Sequence, residues 1–374
     1  MKKNIKVVTV VGTRPEVIRL SRVINYLDKN LNHILVHTGQ NYNYELNEIF
    51  FQDLKLKKPK YKIKTKAKSS VSTISEILTQ VEKILIKEKP NAFLVLGDTN
   101  SCLSAYCAKR LKIPIFHIEA GNRCYDLRVP EEINRKIIDH LADINITYSE
   151  IAKQNLLREN ISADKVFKIG SPLDEVFNYY REKIYKSNIL KKLRIEKDDY
   201  YLVSVHREEN IDINKNFKKF INFLSYIDAD TKVKKIIVST HPRTLKKIQK
   251  IKIKRFKKII FAKPFSYTDY SSLQINSKLV FSDSGSITEE TSLLKLKSIN
   301  LRNTNERQEG MEYGIVPMAH FDIVKIRNLI KYLTKTNQFN NSVEDYKSQD
   351  FSRAFYNILV SYIDYVKEYT WKIY

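Results

Sequence analysis

Cysteine and long apolar runs are both scarce in this sequence of 374 residues, and each absence excludes a class of protein. The only cysteines are Cys102, Cys107 and Cys124, an odd number without paired-ligand spacing. This pattern argues against a disulfide framework and a zinc site, and it is typical of the reducing cytoplasm. No apolar run approaches about 18 residues, so we expect no membrane-spanning helix.

Acidic residues are also few, since 42 of them stand against 66 basic residues and leave a formal net charge of +24. Such an excess predicts a polyanionic partner: nucleic acid, an anionic membrane or a phosphorylated substrate. Lysine dominates the excess, however, and Lys, Ile, Asn and Tyr share A/T-rich codons, so genome composition is a second explanation. The basic runs at 57–68 and 246–258 match no nucleic-acid-binding motif, so we expect no nucleic-acid partner.

The length and the 43% hydrophobic content predict two globular domains. Apolar residues recur at spacings of three and four in 17–27 and 74–86, which is typical of amphipathic helices. Short β-rich runs alternate with such helices, a pattern that predicts βαβ units and parallel sheets. The predicted strands are 6–11, 34–38, 92–96, 114–118 and 144–147, and then 201–205, 235–240, 258–261, 278–281 and 299–301.

The rhythm of strands and helices restarts after Gly170, where we place the domain boundary. We therefore predict an α/β protein with Rossmann-like domains at 1–170 and 171–350, followed by one long amphipathic helix at 351–370. Ligands of such sheets bind at the carboxyl ends of strands, so the loops at those ends are the candidate sites.

The first of these loops, Gly12-Thr13-Arg14-Pro15-Glu16, follows a predicted strand and opens a helix. A helix start presents free backbone N–H groups to an anion, and Arg14 and Arg19 can add charge. An ordinary turn capped by Thr13 explains the same residues. The loop is neither a Walker A motif nor G-x-G-x-x-G, which argues against a nucleoside triphosphate or NAD.

Three acidic side chains follow in the first half of the chain. Asp98 and Glu119 each come directly after a predicted strand, and Glu131 opens a helix after Pro130. Helix capping and the helix dipole explain acids at such places equally well. If the three converge, they raise one another's pKa, and acid/base work near neutral pH becomes accessible.

The second half has candidate sites after two of its strands. His206 follows one strand, although a lone histidine is most often structural. Ser284, Gly285 and Ser286 precede a helix and are suited to cradle a diphosphate, and Glu290 can accept the hydroxyls of a ribose. A helix capped by Ser or Asp is the alternative.

Six motifs occur in a fixed order along the chain. They are Gly12-Thr13-Arg14-Pro15-Glu16, Gly97-Asp98-Thr99, His117-x-Glu119-Ala120-Gly121-x-Arg123, Pro130-Glu131-Glu132-x-Asn134-Arg135, His206-Arg207-x-Glu209-Asn210 and Asp283-Ser284-Gly285-x-Ile287-x-Glu289-Glu290. The set resembles the non-hydrolysing UDP-N-acetylglucosamine 2-epimerase family. The resemblance implies a GT-B-like fold, with two Rossmann-type domains facing a central cleft and the C-terminal helix returning to the first domain. It also implies a homodimer that needs no metal and no redox cofactor.

The resemblance further implies C2 epimerisation of a UDP-2-acetamido sugar, by elimination of UDP to a glycal and re-addition. Asp98, Glu119 and Glu131 then correspond to acid/base groups, and His206 to a group that contacts the departing phosphate or the sugar. The positions that match nucleotide-binding residues are Arg14, Arg19, Tyr270, Ser284, Gly285, Ser286, Glu290 and Arg307.

Within the family, the stretches 38–47, 97–102 and 119–124 are most similar to one branch. That branch converts UDP-2-acetamido-2,6-dideoxy-L-talose to UDP-N-acetyl-L-fucosamine for capsule or O-antigen lipopolysaccharide. Arg19 stands where the glucosamine epimerases usually have Lys. The alternatives are a UDP-N-acetylglucosamine 2-epimerase giving UDP-N-acetylmannosamine, and a UDP-sugar glycosyltransferase, which would need no carboxylate cluster.

Overall fold

The computed structural model describes residues 5–39, 50–65, 69–211, 213–240, 244–245, 247–248, 256–336 and 341–373. The chain divides into two compact units. The first unit comprises residues 1–179 and 344–374, and the second comprises residues 180–343. The predicted boundary at Gly170 lies within the first unit.

Each unit contains one sheet in which neighbouring strands run parallel. The strands are β1 (Lys6–Val11), β2 (Asn32–His37), β3 (Tyr61–Lys62), β4 (Ala92–Leu96), β5 (Ile115–Ile118), β6 (Ile144–Thr147), β7 (Val166–Lys168), β8 (Tyr200–Ser204), β9 (Lys235–Ser239), β10 (Ile259–Ala262), β11 (Leu279–Ser282) and β12 (Ser298–Asn300). The prediction of two Rossmann-like α/β domains in a GT-B-like fold is confirmed.

The strand order places two switch points in the molecule. The first sheet has the order β3-β2-β1-β4-β5-β6-β7, and the second has the order β10-β9-β8-β11-β12. The order reverses between β1 and β4 and again between β8 and β11. A crevice for ligands forms outside the carboxyl ends of strands at such points. The loops that follow these four strands carry Arg14, Asp98, His206 and Ser284.

Helices connect the strands on both sheets. They are α1 (Arg14–Asn30), α2 (Ser70–Glu88), α3 (Ala105–Arg110), α4 (Pro130–Leu141), α5 (Glu150–Arg158), α6 (Pro172–Tyr185), α7 (Ile189–Leu193), α8 (Glu208–Ile211), α9 (Asn214–Asp228), α10 (Tyr267–Asn276), α11 (Ile287–Leu294), α12 (Gln308–Glu312), α13 (Ile323–Lys335) and α14 (Phe351–Trp371). Their ends follow sequence chemistry, since Ser69 caps α2 and Asp322 caps α13 through side-chain oxygens. In the part of the chain that the structure describes, no helix meets the length and apolarity needed to cross a bilayer.

Helix α14 packs on the first unit. The rings of Tyr26 on α1 and Tyr356 on α14 make an edge contact at 5.5 Å, and Phe355 meets Phe116 of β5 at 6.2 Å. Gly170 has a φ of +88°, which L residues with a side chain rarely adopt, and a Cβ at this position would lie 2.9 Å from the Lys347 carbonyl oxygen. A glycine therefore lets the returning chain approach the end of β7 closely.

Candidate functional site

A carboxylate from α1 closes the loop that follows β1. Glu16 Oε2 accepts hydrogen bonds from the backbone N–H groups of Gly12 at 3.0 Å and Thr13 at 2.6 Å, and from Thr13 Oγ1 at 2.7 Å. The expectation that this helix start offers free N–H groups to an anion is therefore wrong for Gly12 and Thr13, because Glu16 occupies both. Arg14 lies half-buried beside them, with its guanidinium carbon 4.4 Å from the centre of the Phe50 ring.

Asp98 follows β4 and is fastened to helix α4. Its Oδ2 accepts from Nε of Arg135 at 2.7 Å and lies 2.7 Å from Nη2 of the same guanidinium, and Asn134 Nδ2 donates to the Asp98 carbonyl oxygen at 2.8 Å. The side chain keeps 23% of its surface exposed. Thr99 caps the short 3₁₀ helix that follows, since its Oγ1 accepts from Ser101 N–H at 3.3 Å. Helix capping therefore does not account for Asp98.

Glu119 follows β5 and adopts a φ of +73°, in the left-handed region that side chains seldom occupy. Its Oε2 lies 3.3 Å from Nη1 of Arg19 and accepts from the Tyr148 hydroxyl at 3.3 Å. Such backbone conformations collect at functional sites, where the surroundings hold them in place. Asp98 and Glu119 are thus each paired with an arginine. The sequence pattern did not predict these neighbours.

Glu131 lies half-buried in the first turn of α4. The adjacent Glu132 is the buried acid of this turn, and it accepts from the N–H groups of Cys124 at 3.0 Å and Tyr125 at 2.9 Å. Arg135 Nη1 also donates to Glu132, at 2.8 Å, so this arginine bridges Glu132 and Asp98. The sequence contained Arg135 in a motif but gave no indication of that role.

A buried charge network lies beneath these loops. His117 of β5 places Nε2 3.0 Å from the Gly97 carbonyl oxygen and Nδ1 2.9 Å from Asp139. Asp139 also accepts from Gly121 N–H at 3.1 Å and from Arg123 Nη1 at 2.6 Å. Burial by itself raises the pKa of Asp139, but His117 and Arg123 hold it below its usual value. The network joins the loops that carry Asp98 and Glu119.

The site of the second unit is organised by Asp283, which is fully buried after β11. Its carboxylate accepts from the backbone N–H groups of His206 at 3.1 Å and Arg207 at 3.1 Å, and from Asn210 Nδ2 at 3.0 Å. The loop after β8 is thereby bound to the loop after β11. The imidazole of His206 stays half exposed, with Nδ1 3.2 Å from Asp283.

Hydroxyl groups and one carboxylate line the start of α11. The hydroxyls of Ser284 and Ser286 lie 2.8 Å apart, and Ser286 Oγ donates to Glu290 at 2.8 Å. The other oxygen of Glu290 accepts from Gln274 Nε2 at 2.6 Å. Gln274 and the half-buried Tyr270 are four residues apart on α10, so they share a helix face.

Two buried ion pairs pack against this loop. Arg307 is 1% exposed, and it donates through Nε to the Gly285 carbonyl oxygen at 3.1 Å and lies 2.9 Å from Glu289 through Nη2. Arg302 pairs with Glu306 at 2.7 Å. A Cβ at Gly285 would lie 2.3 Å from Glu306 Oε1, so any larger residue there would displace this ion-paired carboxylate.

Among the described residues, no group of three or more His, Cys, Asp or Glu side chains is arranged to hold a metal ion. Arg14 and Asp98 follow the two strands at the switch point of the first sheet, and His206 and Ser284 follow the two strands at the switch point of the second. Residues 40–49, which include most of the 38–47 stretch, lie outside the described residues.

Comparison with known proteins gives a consistent result. A family model described as UDP-N-acetylglucosamine 2-epimerase matches residues 26–360. The UDP-N-acetylglucosamine 2-epimerase structure from Rickettsia bellii is 44% identical, with a TM-score of 0.90 over 99% of this chain and 100% of that one. The Methanocaldococcus jannaschii UDP-GlcNAc 2-epimerase, solved with UDP-GlcNAc and UDP, is 32% identical, with a TM-score of 0.88 over 96% of this chain and 100% of that one. The UDP-2,3-diacetamido-2,3-dideoxy-D-glucuronate 2-epimerase of Pseudomonas aeruginosa is 31% identical over 83% of this chain and 86% of its own length.

Proposed function

Because the chain belongs to the UDP-N-acetylglucosamine 2-epimerase family, and is thus a non-hydrolysing UDP-sugar 2-epimerase, we propose that it inverts C2 of a UDP-2-acetamido sugar. One observation carries the proposal: charged and hydroxyl side chains stand at the switch points of both sheets. Asp98 and Glu119, with their arginine partners, supply proton transfer. His206 and the loop from Ser284 to Ser286 hold the nucleotide.

The chemistry follows from the bonds that change. The hydrogen at C2 is not acidic, because no carbonyl group adjoins C2 within the ring. We propose that a base takes this proton as the C1–O bond to UDP breaks, which leaves a glycal with a C1–C2 double bond. UDP then re-forms the C1–O bond while an acid protonates C2 on the opposite face. Asp98, Glu119 and Glu131 are the groups that we assign to these two transfers.

The nucleotide has to be held throughout, because free UDP is an intermediate. We assign this task to Ser284, Gly285, Ser286 and Glu290. The hydrogen bonds between Ser284 and Ser286 and between Ser286 and Glu290 set the loop in place. Tyr270 shares a helix with the partner of Glu290 and is assigned to the uracil. Arg14 and Arg19 supply positive charge from the first unit. Arg307 matches a nucleotide-binding position in the sequence, and because it is buried against Gly285 we propose that it acts on the nucleotide through this loop.

Turnover in D2O tests the elimination. We expect deuterium at C2 of the product, because the proton on the catalytic base exchanges with solvent while the glycal is held. NMR of the product after many turnovers reads this directly. Product that carries only hydrogen at C2 would contradict the mechanism, and release of UDP that depends on an added acceptor would favour a glycosyltransferase.

For the sugar, we propose UDP-2-acetamido-2,6-dideoxy-L-talose, with the product serving capsule or O-antigen synthesis. Arg19, which stands where the glucosamine epimerases usually have Lys, and the stretches 97–102 and 119–124 support this choice. UDP-N-acetylglucosamine is the second candidate, favoured by the names of the Rickettsia and Methanocaldococcus relatives. Incubating the enzyme with each UDP-sugar and comparing kcat/KM by NMR at C2 decides between them.

Removing one polar group from the nucleotide loop should weaken UDP binding. Ser284→Ala and Glu290→Ala each remove a hydrogen bond, and a bond to a charged group contributes about 1.5–3 kcal/mol, or roughly tenfold to a hundredfold in affinity. Isothermal titration with UDP measures this. Ser225→Ala is a matched control, because its hydroxyl bonds only within helix α9. Unchanged UDP affinity in both loop variants would place the nucleotide elsewhere.

We also propose that the protein forms a homodimer and is located in the cytoplasm. The resemblance supports a homodimer, which sedimentation velocity tests. Cys102, Cys107 and Cys124 are all free thiols, which supports a cytoplasmic location, and fractionation of cells tests that.

A further inference from the structure

Glu16 lies at the junction of the two loops that flank the first switch point. It is 2% exposed, and both of its carboxylate oxygens are occupied. Oε2 accepts from the loop after β1, and Oε1 accepts from Thr99 Oγ1 in the loop after β4 at 3.0 Å. A carboxylate buried to this extent needs such donors, because burial without them is costly.

The two loops carry different parts of the site. The loop after β1 leads into Arg14 and then, further along α1, into Arg19, the partner of Glu119. The loop after β4 carries Asp98, directly before Thr99. A link between Glu16 and Thr99 therefore fixes Asp98 relative to both arginines.

The hydroxyl of Thr99 is oriented from two sides. It donates to Glu16 and accepts from Ser101 N–H at 3.3 Å. Ser101 Oγ in turn lies 2.8 Å from Thr38 Oγ1, so the hydrogen-bonded chain continues to the end of β2. Glu16 thus begins a connection across three neighbouring strand ends.

We propose that Glu16 is a positioning residue for the epimerase reaction, which holds Asp98 in place through Thr99 without contacting the substrate. The inference rests on the proposed function. The hydrogen bonds of Glu16 are the basis of the proposal, and the ionisation of Glu16 agrees with it. Burial raises the pKa of Glu16 to about 7, and the bonds from Thr13, Gly12 and Thr99 act in the opposite direction. Loss of a donor therefore favours the protonated carboxyl, which is a poorer acceptor.

Three variants test the link. Thr99→Val removes the hydroxyl, and we expect kcat to fall by about 10- to 100-fold with KM and UDP affinity unchanged, because a small misplacement affects the reacting geometry and not the binding. Thr99→Ser keeps the hydroxyl and should restore kcat. Glu16→Gln keeps the Thr99–Ser101 bond but loses the charge and an acceptor, and its kcat should fall as in Thr99→Val.

Each other pattern would overturn the proposal. Wild-type kcat in Thr99→Val or in Glu16→Gln means that the link does not position Asp98. Equal losses in Thr99→Val and Thr99→Ser mean that the hydroxyl is not the relevant group. A parallel rise in KM and loss of UDP affinity would make these residues part of the binding site.

Hydrogen exchange separates this inference from the proposed function. Glu16→Gln should accelerate exchange of the Gly12 and Thr13 amides, which donate to the carboxylate. If the wild-type enzyme epimerises no UDP-sugar, the proposed function fails, and accelerated exchange still supports the junction. Unchanged exchange at both amides overturns the junction whether or not the enzyme is active.

Discussion

Replacing Asp98, Glu119 or Glu131 by its amide should lower epimerase turnover by about 10²–10⁴-fold while UDP affinity stays close to the wild-type value. The amides keep the size of the side chain but cannot transfer a proton. For Asp98→Asn and Glu119→Gln, the ion pairs with Arg135 and Arg19 are also weakened, so these two should be the more severe. Turnover by NMR at C2 and UDP titration measure the two effects separately.

The three variants need not fail in the same way. A variant that loses only re-protonation should accumulate glycal and UDP, since elimination still proceeds. A variant that loses the initial base should release neither. Double variants should be little worse than the worst single one, because groups that share one proton path are non-additive.

Glu150→Gln is the matched control for the carboxylates. Glu150 is also an acid in the first turn of a helix, α5, but it belongs to none of the six motifs. Replacing a residue that only favours a helix start should lower the free energy of unfolding by about 1 kcal/mol at most and leave turnover unchanged. Full activity in all three site variants would mean that they too serve only their helices.

The largest effect on stability should come from Asp139→Ala, at about 3–5 kcal/mol in the free energy of unfolding. Asp139 and Arg123 are both buried, so truncating the carboxylate leaves the Arg123 guanidinium without one of its two acidic partners. His117 also loses its contact to the same group. Urea unfolding followed by circular dichroism measures the loss.

Two further variants serve as controls for the loss of stability in Asp139→Ala. Lys186→Ala breaks the exposed ion pair with Glu182 and should cost nothing measurable, because solvent screens it. The double variant Asp139→Ala with Arg123→Ala should lose less than the sum of the single variants, since each partner alone is an uncompensated buried charge. A loss in Asp139→Ala no larger than in Lys186→Ala would contradict the buried network.

The sequence predicted the regular elements well because their patterns are local. The strands at 6–11, 92–96 and 144–147 match β1, β4 and β6 to the residue, and the other predicted strands are displaced by one or two residues. The sequence analysis missed strands β3 and β7, which are only two and three residues long (Tyr61–Lys62 and Val166–Lys168). Runs of two or three residues are too short to show a periodic pattern. These two strands form at the edges of the first sheet because they pair with β2 and β6.

The candidate site was predictable only in part. The placement of Asp98 and Glu119 followed from strand ends, a rule that depends on chain order alone. Their pairing with Arg135 and Arg19 depends on contacts between residues that are 37 and about 100 positions apart, which no local pattern encodes. The occupation of Gly12 and Thr13 by Glu16 was missed although Glu16 lies in the same motif. Thr13 and Glu16 have the spacing of a capping box, in which the carboxylate at the third helical position turns back onto the helix start, so this spacing was the signal that predicts the contact.

The first unit is discontinuous in the chain, because residues 344–374 complete it after the whole of the second unit has been passed. During synthesis on a ribosome, residues 180–343 are therefore finished before Phe355 and Tyr356 exist to cover Phe116 and Tyr26. The nascent protein carries an uncovered apolar face on its earlier half for as long as translation of the later half lasts. The half that is made first is the half that can finish folding last.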